Sequence, residues 1–130
     1  LELLTWLKEN EVPTVLVTSS NEKKMRHLRE ELPEAESFFT HIVTGDKVSR
    51  SKPDPEGYLL GAKLIGRRPQ NCVVFEDYLQ GVKAGRAAGA FIVGVAGTLD
   101  KETIEPFSDI IVDSLAEIDG KSVINILKRR

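Results

Sequence analysis

Three short polar groups, each following an apolar run of strand length, have residue types suited to phosphoryl chemistry. Glu76 and Asp77 follow the run Cys72–Phe75. Two adjacent carboxylates repel unless a cation lies between them, and a hard divalent ion with oxygen ligands, most simply magnesium, meets that need. Alone, the pair equally suits an acidic first turn that complements a helix dipole. Thr18-Ser19 follows Thr14–Val17. A hydroxyl and successive backbone N–H groups at a helix N-terminus make an anion site, although an ordinary helix cap uses the same residue types. Lys52 lies in Ser51-Lys-Pro-Asp-Pro55, where two prolines stiffen the loop around one cation. A solvated loop lysine accounts for that stretch taken alone. Together, a hydroxyl, a lysine and an acid pair at successive strand ends describe a phosphate site. The hydroxyl and amides bind phosphoryl oxygens, the lysine neutralises charge, and magnesium bridges.

The elements that must position these groups alternate between strand and helix. The pattern predicts helices over Leu1–Asn10, Glu22–Leu32, Pro55–Ile65, Val82–Ala88 and Ser122–Lys128, with Pro55 in a first turn that tolerates it. It predicts strands over Thr14–Val17, His41–Val43, Cys72–Phe75, Phe91–Val95 and Asp109–Val112. Met25, Leu28 and Leu32 should face inward, and Pro33 should end their helix. Gly81 opens the helix after the acid pair, and Gly89 stops it. Such alternation argues for an α/β fold, a doubly wound parallel sheet with helices on both faces. Ligands bind beyond the carboxyl ends of such strands, which puts Thr18, Ser19, Glu76 and Asp77 at one edge, both carboxylates past the strand tip.

The 130 residues suffice for one domain with a core, and a formal net charge of −2 gives no case for nucleic acid or a membrane surface. No apolar run approaches membrane-spanning length. A lone cysteine, Cys72, excludes an internal disulfide and suits a reducing cytosol. His27 and His41 lack catalytic partners at useful spacing. Trp6 reads as a packing residue and Lys128-Arg-Arg130 as a basic helix end.

Val15-Leu-Val-Thr18-Ser19, Ser51-Lys52-Pro53-Asp54-Pro55, and Val74-Phe75-Glu76-Asp77 with Gly81, Ala84 and Ala87-Ala88-Gly89 resemble the second, third and fourth motifs of the haloacid dehalogenase superfamily. They look most like the β-phosphoglucomutase-like phosphatases, and the resemblance covers nearly the whole chain as a Rossmann-like core. It implies that Thr18 hydrogen-bonds the transferring phosphoryl group, that Ser19 adds its amide, and that Lys52 screens charge. It gives Glu76 and Asp77 to magnesium, with Thr18, Lys52 and Asp77 as the catalytic set. It further implies a cytoplasmic monomer acting on a small phosphorylated metabolite. Tyr78 stands where a small residue is common and reads as variation near the site.

The family's first motif, Asp-x-Asp-x-Thr, and its cap domain have no counterpart here. Asp109-Ile-Ile-Val-Asp113 has the wrong spacing. Residues 1–130 therefore read as a partial core whose central first strand is missing, inactive alone for want of the nucleophilic aspartate, with a split sheet and exposed apolar edges. The alternatives are a sugar-phosphate mutase of the same family and an inactive relic that binds metal, phosphate or a partner. A response-regulator-like receiver is disfavoured because no phosphoacceptor aspartate is suitably placed.

Overall fold

The computed structural model describes residues 2–31, 34–96 and 101–129. In order these form α1 (Glu2–Glu9), β1 (Val15–Val17), α2 (Glu22–Glu31), β2 (His41–Val43), α3 (Glu56–Leu64), β3 (Val73–Glu76), α4 (Leu79–Ala88), β4 (Phe91–Val95), α5 (Lys101–Ile104), β5 (Ile110–Val112) and α6 (Gly120–Lys128). Met25 is buried on α2. The side chain of Leu28, and Leu32 and Pro33 altogether, lie outside the described residues, as do Leu1, Arg130 and residues 97–100. No described helix is long and apolar enough to cross a membrane.

The strands pair in parallel, as alternation with helices requires, but in two sheets. One holds β1 and β2; the other runs β3-β4-β5. In the second sheet Val73, Val74 and Phe75 stand beside Phe91, Ile92 and Val93. Side chains alternate across a strand, so this register sorts them onto two faces. Val74 and Ile92 join Val82, Ala90 and Ile104 in one buried cluster. Val73, Phe75, Phe91 and Val93 pack with Leu7, Trp6, Ile118 and Val123 in the other. Helix α4 covers the first face, while α6 packs on β3 and α1 on the second side. The result is the expected doubly wound arrangement.

Helix α3 links the smaller sheet to the helix that covers the larger one. It packs on β1 and β2 and also against α4. All three residues of β1 remain half-buried, as do Val73 and Phe75 of β3. Partial burial of short β-branched strands is what an unpaired sheet edge produces.

Ile92 has no exposed surface and sits where α4 meets the larger sheet. Ile92→Ala is expected to cost about 2–5 kcal/mol through lost transfer energy and a residual cavity. Urea unfolding should show a lower midpoint with an unchanged slope.

Candidate active site

Lys52 is held by groups from both sheets. Its ammonium donates to the Val17 carbonyl at the end of β1, 2.9 Å away, and to Glu76 Oε2 at the end of β3, 2.6 Å away. Both side chains of the ion pair are only 8% exposed. The lysine is therefore no solvated loop residue. The stiff loop between Ser51 and Pro55 delivers its charge to the edge where β1 and β3 end, and the Lys52–Pro53 bond is cis.

The two carboxylates part company. Both were expected beyond the strand, yet Glu76 is the last residue of β3 and is buried, while Asp77 is exposed. The reason is the period of two: Glu76 shares the face of Val74 and turns under α4. Helix α4 accordingly begins at Leu79, ahead of Gly81. Gly81 makes the room, since a Cβ there would stand 2.2 Å from Glu76 Cδ. The Tyr58 hydroxyl of α3 also donates to Glu76 Oε2. Burial, then the charge of Glu76, pushes the Tyr58 phenol far up, so it remains a donor.

Both bonds to Glu76 fall on Oε2. Glu76 Oε1 and the Asp77 carboxylate are the oxygens a hard cation would use. Magnesium commonly takes only one or two carboxylates and keeps water or substrate phosphate as further ligands, so this donor pair suits it. No three His, Cys, Asp or Glu side chains cluster among the described residues.

Thr18 and Ser19 are not the cap of α2. That role belongs to Asn21, whose Oδ1 accepts from the Lys24 amide at 2.9 Å. The Thr18 hydroxyl accepts from the Ser20 amide at 3.1 Å, and a hydroxyl that accepts still has a proton to donate. The Thr18 amide pairs with the Val43 carbonyl; the Ser19 amide has no protein acceptor among the described residues. Thr18, Ser19 and Lys52 line one concavity with Thr44, Arg50 and Ser51. Asp77 is not among its lining residues. Gly45 seats the loop after β2 on this turn: its amide donates to the Ser20 carbonyl at 2.8 Å, and a Cβ there would stand 2.4 Å from the Ser19 oxygen.

Three contributors escaped the sequence reading. Thr44 is fully buried and bonds to Asp46; Tyr58 holds Glu76; and Tyr78, read as tolerated variation, has its ring centre 5.4 Å from the Lys52 ammonium. The one available signal was the place of Tyr58 and Tyr78, each on the first turn after a motif.

Removing Lys52 should leave the Glu76 charge buried without a counter-ion. Lys52→Met is expected to cost about 3–5 kcal/mol, and pairing it with Glu76→Met should recover much of that loss, as removal of both charges does elsewhere. Urea denaturation of the two single variants and the double variant completes the cycle; a fully additive double variant would contradict the coupling. The Thr44 hydroxyl holds the Asp46 carboxyl below its ordinary range. A depressed carboxyl contributes stability that is present above the unfolded value and lost as pH falls through the folded one. Thr44→Val should move the Asp46 titration upward, towards its ordinary 3.8, as read from its carboxyl carbon by NMR, and should reduce the acid-side loss.

Comparison with known proteins places this geometry in a family. Residues 1–89 match the haloacid dehalogenase-like hydrolases. Hexitol phosphatase A of Escherichia coli is 38% identical over 120 residues, 91% of this chain and 53% of that enzyme. The phosphorylated carbohydrates phosphatase of Thermotoga maritima is 32% identical over 130 residues, 98% of this chain and 57% of that one. The crystal structure of β-phosphoglucomutase from Clostridium difficile superimposes with a TM-score of 0.80 at 28% identity, over 98% of this chain and 54% of the other. The chain thus spans about half the length of the curated relatives it matches. On the strength of the matched sequence and the shared parallel α/β core, the chain belongs to the haloacid dehalogenase-like hydrolases.

Proposed function

We propose that the complete protein is a magnesium-dependent phosphatase of small phosphorylated metabolites such as sugar, polyol or nucleoside monophosphates. It would act as a cytoplasmic monomer and work through an aspartyl-phosphate. The observation that carries this reading is the desolvated Lys52 ammonium beside Thr18 and Ser19 in one concavity. Cation, hydroxyl and amide there meet the needs of a phosphoryl dianion. Relatives whose names specify hexitol and phosphorylated-carbohydrate phosphatases support the substrate class.

Each residue has a separate task. The Thr18 hydroxyl and Ser19 amide donate to phosphoryl oxygens and orient the group. Lys52 offsets the charge that a carboxylate nucleophile and a phosphate bring together. Glu76 fixes Lys52 and, with Asp77, would hold magnesium. When bound, that ion supplies Lewis-acid stabilisation of phosphoryl charge. No aspartate lines the concavity among the described residues, so the reading assigns the nucleophile to a segment outside residues 1–130.

The test compares residues 1–130 with the full-length protein on a panel of hexitol, sugar and nucleoside monophosphates, with and without magnesium. The full-length protein should release phosphate only with the metal, and Asp77→Ala should abolish that turnover. Residues 1–130 should be silent, because losing a nucleophile removes several orders of magnitude of rate. Turnover by residues 1–130 at the full-length rate would place the nucleophile within them. The likeness to β-phosphoglucomutase favours a second reading, a sugar-phosphate mutase; it would appear as isomerised sugar phosphate without free phosphate. A silent full-length protein would favour an inactive relic.

A further inference from the structure

We propose that Tyr78 is a positioning residue that orients Lys52 for anion binding and ties it to the Thr18–Ser19 turn. The role rests on the phosphatase reading and extends it to a residue the chemistry itself does not require. The Lys52 ammonium lies 5.0 Å from the ring centre of Tyr58 and 5.4 Å from that of Tyr78. Two rings, one from α3 and one from the turn after β3, flank a single cation. An ammonium has three donors. Two are taken by the Val17 carbonyl and Glu76, and the third remains for a bound anion. The lysine stem is flexible, so the direction of that third donor needs a constraint. The ring faces supply one, since their quadrupoles attract a cation.

The two tyrosines are anchored differently. Tyr58 is fixed through its hydroxyl to Glu76, within the ion pair. The Tyr78 hydroxyl lies 3.4 Å from Ser19 Oγ, on the turn that offers phosphate its hydroxyl and amide. Tyr78, which follows β3 of one sheet, therefore touches both halves of the anion site, the cation and the donor turn, which follow β2 and β1 of the other. Tyr78 precedes α4 without making a side-chain cap.

The experiment measures inorganic phosphate binding to the full-length protein by calorimetry, with the Lys52 ε-methylene proton shifts read by NMR and the unfolding midpoint as a control. In the unaltered protein those protons should be shifted upfield by the rings. Tyr78→Leu should relax that shift and weaken phosphate binding on the order of tenfold, the equivalent of one desolvated cation–π contact. Tyr78→Phe should keep the ring shift and restore most of the affinity, the lost hydroxyl contact with Ser19 accounting for the remainder. If the leucine variant does not fold, Tyr78→Met refills the volume without a ring and carries the same expectation. Unchanged shift and affinity in the ringless variants would overturn the proposal, as would a phenylalanine variant as weak as the leucine one. Unshifted Lys52 methylenes in a protein that binds phosphate would overturn the clamp alone. A protein that binds no phosphate would overturn the phosphatase reading and this role with it.

Discussion

The buried ion pair between Lys52 and Glu76 is the interaction on which the rest of the site depends. A charge removed from water is costly unless it is paired and its remaining hydrogen-bonding capacity is met. Here the ammonium receives a carboxylate from β3 and a carbonyl from β1. The two strands belong to separate sheets. The lysine consequently does at the ligand edge what α3 does beneath it, joining the two halves of the core.

The surroundings follow from that constraint. Glu76 can turn under α4 only because Gly81 carries no side chain. Tyr58 can bond the carboxylate because α3, which covers β1 and β2, also packs against α4 and brings its first turn to the end of β3. Burial keeps that phenol protonated, so Glu76 Oε2 accepts from both Tyr58 and Lys52. On the β1 side Gly45 lets the loop after β2 come down on the Ser19–Ser20 backbone, which steadies the turn that lines the concavity. Each close approach lies at a glycine, and each serves the same edge of the molecule.

The residue types gathered at this edge are those an anion site uses. Thr18, Ser19 and Lys52 line one concavity, and Glu76 bonds to Lys52. Membership of the haloacid dehalogenase-like hydrolases agrees with that inventory, and the matched relatives are about twice the length of this chain. No aspartate lines the concavity among the described residues.

The sequence by itself determined the element order, the parallel α/β class and the residue types at the three strand ends. Those depend on local signals: the period of two in Cys72–Phe75, proline and glycine as breaks, and polar residues straight after apolar runs. It also carried the motif spacing from which the family was legible. Only the tertiary structure decided how the groups divide their labour. Whether Thr18-Ser19 caps a helix or faces a concavity turned on Asn21 taking the cap. Whether Glu76 stands beyond the strand or inside it turned on one residue of register. Tyr58 and Tyr78 gained roles from a lysine that is near in space and distant along the chain. Such pairings arise when α3 and the loop before it bring Tyr58 and Lys52 to the end of β3, and no local periodicity encodes a contact of that range.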